Sequence, residues 1–169
     1  MRRPVPILLA AFAIWLAPAP PAGADLIGSH GDWEAYKETE GGKPVCYIGS
    51  EPKKAQGKYT RRGETYVLIT HRPAEKSSGV VSVKAGYTYR KGSEVDITLG
   101  AETFKLFTDK GHAFAYDEKT DAALVKAMIR GATMVVKGTS SRGTLTTDTY
   151  SLKGFTAAYE AINRACGIK

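Results

Sequence analysis

Apolar and polar positions alternate with a period of two along most of this chain. Val81, Val83, Ala85, Tyr87 and Tyr89 interleave with Ser82, Lys84, Gly86, Thr88 and Arg90, and only a strand places two such sets on opposite faces. Val95, Ile97 and Leu99 alternate in the same way with Asp96 and Thr98, and Arg90-Lys91-Gly92-Ser93 reads as a hairpin turn joining the two runs. Phe104–Phe107 leads through Thr108-Asp109-Lys110-Gly111 into His112–Tyr116, a second hairpin. Met134–Val136 and Thr144–Tyr150 flank Ser140-Ser141-Arg142-Gly143, a third. Asp32–Tyr36, Pro44–Ile48 and Tyr66–Thr70 complete a set of about eight to nine short strands, the spacing of an antiparallel β-sandwich or partly open barrel rather than of βαβ units.

Two segments change period. Leu124, Val125, Met128 and Ile129 share a helical face, with Thr120 placed to cap the start, Asp121 suited to the first turn and Gly131 to the end. Phe155, Tyr159, Ile162 and Cys166 form one stripe at helical spacing. The expected fold is therefore mainly β, with a short helix near 120–130 and a C-terminal helix near 155–166 that packs on the sheet.

Residues 1–24 are organised differently. Arg2 and Arg3 precede the apolar run Ile7–Leu16, prolines 18, 20 and 21 break any helix, and Ala22-Gly23-Ala24 supplies small residues. That order is a secretory signal peptide cleaved after Ala24; the rival is an uncleaved anchor or a core helix, although a spanning helix takes about 20 residues. Residues 25–169 then form a single β-rich domain, periplasmic or secreted. The chain carries a net charge of +7, which falls to +5 without Arg2 and Arg3, and a basic exported protein is drawn to lipid headgroups and acidic glycans. Export places Cys46 and Cys166 where disulfides persist. Their bond closes a loop of about 120 residues, which chain entropy values at about 4–5 kcal/mol, and staples the last helix to an early strand. Two free thiols or one metal-bound thiol are the alternatives, the latter lacking a histidine or second cysteine at ligand spacing.

The stretch from Leu124 to Cys166 is the most distinctive. Leu124-Val125-Lys126-Ala127-Met128-Ile129-Arg130-Gly131, Val135-Val136-Lys137-Gly138, Ser140-Ser141-Arg142-Gly143, Thr147–Phe155 and Ala157-Ala158-Tyr159, with Gly31-Asp32-Trp33 and Cys46 before them, resemble the invasion associated locus B family of α-proteobacterial exported proteins. The resemblance covers the chain from about Gly31 onward. It implies an extracytoplasmic domain of a family named for a factor linked to bacterial entry into host cells, and hence to virulence, with no established enzyme activity or cofactor. Many members carry further cysteines in the region matching Phe104–Tyr116, where this chain has none.

No catalytic motif assembles along the chain. His30 lies in the leader of the mature part, His71 at the end of a strand and His112 at the start of one, without metal-ligand spacing; all three read as surface histidines. Ser140 and Ser141 lack the Gly-x-Ser-x-Gly elbow and suit a turn. Asp117 and Glu118 are adjacent, which turns paired carboxylates apart, so a solvated turn accounts for them. The basic strip Lys53, Lys54, Lys58, Arg61 and Arg62 surrounds Gly57 and Tyr59 and reads as a mobile loop of one sign, while Arg142 sits in a turn suited to a phosphate or sulfate. The expected function is non-catalytic binding of an anionic envelope component or host surface through these six residues, without metal, cofactor or nucleic acid. Alternatives are an enzyme on envelope polymers or small esters, with groups gathered from separate strands, and a structural or chaperone-like envelope protein.

Overall fold

A computed structural model describes residues 23–168; the leader read at 1–24 lies, but for its last two residues, outside them. Eleven strands and two helices follow in chain order: β1 (Asp25–His30), β2 (Trp33–Glu40), β3 (Lys43–Ser50), β4 (Lys54–Gly57), β5 (Tyr66–Arg72), β6 (Ser77–Lys84), β7 (Glu94–Leu99), β8 (Glu102–Asp109), β9 (His112–Phe114), α1 (Glu118–Arg130), β10 (Thr133–Thr139), β11 (Leu145–Ser151) and α2 (Phe155–Cys166). The strands form one antiparallel sheet in the order β1-β2-β3-β5-β6-β9-β8-β7-β10-β11-β4. Alternation sets the inner face: Trp33 and Ala35, Cys46 and Ile48, Val67 and Ile69, Val81 and Val83, Val95 and Ile97 all point into one core with Leu124, Met128, Phe155 and Ile162 of the helices. Every strand except β1 and β4 contributes to it.

One sheet around one core replaces the two layers of a sandwich; of the two expected forms, the partly open barrel describes it. Its ends meet without strand pairing. The Asp32 N–H donates to the Lys153 carbonyl at 2.9 Å, and the Trp33 indole N–H donates to the Ser151 carbonyl at 2.9 Å. The close approach depends on two glycines in left-handed conformations, Gly31 at φ 60° and Gly154 at φ 90°. A Cβ on Gly154 would overlap the His30 carbonyl, and one on Gly31 would sit 2.5 Å from the Lys153 oxygen. Both obstacles are backbone and cannot swing aside.

The local expectations meet mixed outcomes. The β8–β9 and β10–β11 hairpins form as read. The turn at 90–93 does not join paired strands: β6 pairs with β9, while β7 lies between β8 and β10. The alternation through Tyr89 is interrupted at Gly86, where φ is 73° and a Cβ would overlap the Gly63 carbonyl. The chain leaves the sheet there, and Tyr87–Arg90 crosses toward β10. β1 and β4, the two sheet edges, are strands where a flexible leader and a mobile loop were expected.

The first helix is capped by Asp117 rather than Thr120: the Asp117 carboxylate accepts the Thr120 N–H at 2.7 Å, the arrangement an N-cap carboxylate favours. Asp121, one turn in, is buried and accepts the Val81 N–H at 2.8 Å, tying α1 to β6. α2 lies under its apolar stripe as expected. Phe155 meets Trp33 edge-to-face at 4.9 Å, and Cys166 is bonded to Cys46 with Cα atoms 6.0 Å apart, across a separation of 120 residues. Among the described residues no helix is long and apolar enough to cross a membrane.

Candidate functional site

Three irregular segments converge beside β11: residues 58–65 between β4 and β5, the crossing Tyr87–Arg90, and the turn Ser140–Gly143 between β10 and β11. They enclose a cleft of about 780 Å³. Its walls carry Lys58, Arg61 and Arg142, the rings of Tyr59 and Tyr87, and the hydroxyls of Thr60, Thr88, Ser141 and Thr144; among the described residues no carboxylate lines it. None of the three cations joins an ion pair among the described residues. The structure thus gathers three of the six basic residues singled out in the sequence, from two segments about 80 positions apart.

The other three do different work. Arg62 is not an exposed cation. Its side chain is 5 % exposed, and its Nη1 and Nη2 both donate to the Asp148 carboxylate at 2.6 Å. Its Nε donates to the Ala85 carbonyl at 2.7 Å, and its Cζ lies 5.6 Å from the centre of the Tyr59 ring and 5.2 Å from that of Tyr87. A forked guanidinium saturated in this way fixes the loop it belongs to. Burial works against its charge, but the Asp148 carboxylate more than offsets that and holds its pKa above the ordinary arginine value. Lys53 is paired with Asp32 at 2.5 Å, outside the cleft. Lys54 is exposed on β4, in register with Thr149, outside the cleft.

The cleft floor is polar and already partnered. The Tyr87 hydroxyl and Thr146 Oγ1 are 2.6 Å apart. Burial pushes the Tyr87 hydroxyl pKa up, against the pull of Thr146 and Arg62. Ser140 Oγ accepts the Thr144 N–H at 3.1 Å, so this serine closes a turn. Arg90 lies beside the Ser140–Gly143 turn: a Cβ on Gly143 would sit 3.1 Å from its Nη2. Tyr87 and Arg90 were read as positions within a strand and its turn, and the break at Gly86 is the sequence signal that removes them from it.

The histidines do not converge. His30 is half-buried in β1 and His112 exposed in β9. His71 corrects the expectation of a surface residue: it is 0 % exposed. Its Nδ1 accepts the Gly79 N–H at 2.9 Å, so Nε2 carries the proton it donates to Asn163 Oδ1 at 2.8 Å. Burial lowers its pKa, with the Asn163 bond in partial opposition. Asp117 and Glu118 open α1, and no group of three metal-capable side chains occurs among the described residues.

An antiparallel sheet curled around two helices, locked by one disulfide and carrying a basic cleft, defines a β-rich module. The chain belongs to the invasion associated locus B family, whose model matches residues 33–163. Its fold is similar to the crystal structure of invasion associated protein B from Bartonella henselae, with a TM-score of 0.55 over 83 % of this chain and 97 % of that one, at 15 % identity. A comparison with curated proteins finds no match.

Proposed function

We propose that this chain is an exported, non-catalytic binding protein whose basic cleft takes the anionic groups of an envelope or host-surface component. The cleft itself carries the reading: Lys58, Arg61 and Arg142 face one concavity with no carboxylate to neutralise them. The hydroxyls of Thr60, Thr88 and Ser141 around them suit phosphate, sulfate or carboxylate oxygens. The leader pattern at 1–24 and the Cys46–Cys166 bond support export, because such bonds persist in oxidising compartments. The partnered state of Tyr87, Thr146 and Ser140 supports binding over nucleophilic chemistry.

The test is retention of the mature protein on heparin and its co-sedimentation with phosphatidylcholine vesicles with and without phosphatidylglycerol, at low and moderate salt. At least one anionic surface should retain it, less so as salt rises. Lys58→Ala with Arg142→Ala should weaken retention by roughly tenfold or more. A protein that passes through both at low salt sinks the proposal.

A further inference from the structure

A second concavity, of about 770 Å³, lies on the outer face of β2, β3 and β5. The pleat builds it. Trp33 and Ala35, Cys46 and Ile48, and Val67 and Ile69 point inward, which sends Glu34, Tyr36 and Glu38, then Tyr47 and Gly49, then Leu68 and Thr70, to the outside. Register places Tyr36 directly opposite Tyr47, and Gly49 between Glu34 and Leu68. The two tyrosine rings stack with centroids 5.2 Å apart and planes 21° apart.

The chemistry is unlike that of the basic cleft. The cations at its margin are spent: Lys53 on Asp32, and Arg72 on Glu40 at 2.5 and 3.1 Å. Glu34 accepts the Tyr36 hydroxyl, which pushes that phenol up to about 12. Burial and the neighbouring Glu40 raise the Glu38 pKa. What remains is aromatic surface bordered by carboxylate acceptors and by the hydroxyls of Tyr47, Tyr66 and Thr70, so an occupant must bring an apolar face and groups that both donate and accept. Gly49 adds space. Its φ is ordinary, and a Cβ there would press only on the movable end of Leu68 at 2.9 Å, so neither backbone nor a rigid neighbour requires glycine.

We propose that this groove binds a neutral saccharide, with sugar C–H faces on Tyr36 and Tyr47 and sugar hydroxyls donating to Glu34 and Glu38. An anionic ligand would meet these carboxylates. A strongly cationic one would meet a mature chain of net charge +5. A neutral polyol meets neither obstacle, and it satisfies carboxylates through charge-assisted hydrogen bonds while its ring edges lie on aromatic faces.

Isothermal titration of the mature protein with cellohexaose, maltohexaose and the hexamer of N-acetylglucosamine tests this, with decalysine as the cationic probe. At least one sugar should give saturable heat that moderate salt leaves unchanged. Tyr47→Ala should weaken it about tenfold, the loss of one stacked ring, and Gly49→Ala, whose Cβ intrudes on the floor and presses only on the movable end of Leu68, should also weaken it with little change in melting temperature. Lys58→Ala and Arg142→Ala in the basic cleft should leave it intact, which separates this site from the anion site. Silence of all three sugars, sugar binding that survives both groove variants or falls with the cleft variants, or capture of decalysine in their place would overturn the assignment.

Discussion

The corner beneath α2 and the cleft beside β11 hold the chain in place by opposite means. At the corner, Trp33, Ile48, Ile69, Phe155 and Ile162 are fully or almost fully buried apolar groups, and a covalent bond joins the helix to β3. Around the cleft the chain is irregular. A buried ion pair, Arg62–Asp148, supplies the order that apolar packing supplies elsewhere. Apolar contacts tolerate loss in increments, because each removed methylene forfeits a share of the whole. A paired buried charge does not, because either partner alone is a desolvated ion. The cleft end should therefore fail abruptly and locally, and the stapled end gradually.

Removing the staple should give the largest effect. Cys46→Ser with Cys166→Ser restores a loop of about 120 residues to the unfolded ensemble, and the expected loss is about 4–5 kcal/mol, read from denaturant unfolding. Reductant should lower the melting temperature of the parent protein to that of the double variant and leave the variant unmoved. Equal melting temperatures with and without reductant would remove the staple from the comparison.

Next comes the ion pair. Asp148→Asn keeps shape and strands the Arg62 charge, with an expected loss of about 3–5 kcal/mol. Arg62→Met with Asp148→Leu should recover most of it, since the penalty belongs to the unpaired ion rather than to the missing bond. The two variants separate stability from function. Both remove the fork that positions Lys58 and Arg61, so both should bind heparin or anionic vesicles more weakly, although only one is unstable. If the double variant binds as the parent does, Arg62 does not position the cleft.

How far these two ends were legible follows from the range of their contacts. The stripe of Phe155, Tyr159, Ile162 and Cys166 announces α2 because helical spacing is local, and the β8–β9 and β10–β11 hairpins announce themselves through alternation on both sides of a short turn. β4, Lys54–Gly57, has no inward residue and no alternation to read, and β1 likewise exposes Leu26 and Ile27. Edge strands carry little pattern because one partner and no core define them. Arg62 sits in a run of cations, and its carboxylate is 86 positions away, so nothing nearby separates it from Arg61. His71 was legible and passed over: Val67, Ile69 and His71 share the inward parity of β5, and a polar residue in that series predicts a satisfied buried group.

His71 gives the smallest effect and the sharpest test of how the stapled end yields. It lies beside the Tyr159 ring, with centroids 5.3 Å apart, and pairs in register with Cys46. Both ring nitrogens are committed, one accepting from Gly79 and one donating to Asn163 of α2. A second ring proton would point at the Gly79 N–H and remove that bond. Since the fold depresses the His71 pKa below its unfolded value of 6.5, the unfolded chain takes up the proton first, and stability falls as pH drops below about 6.5. Asp121 works in the opposite direction: burial raises its pKa, so the folded state gains relative stability as acid protonates it. The difference between the parent and His71→Gln isolates the histidine. The variant should be less stable near neutral pH by about 1–3 kcal/mol, because the Gly79 N–H loses its acceptor, yet its stability should change less on acidification. With the disulfide intact, hydrogen exchange should show acid loosening α2 without releasing it. In the cysteine-free protein the same acid should free the helix outright, since Asn163 is then one of the few polar ties left between α2 and β5. A helix equally protected at both pH values in the cysteine-free protein would mean that apolar packing alone secures this corner.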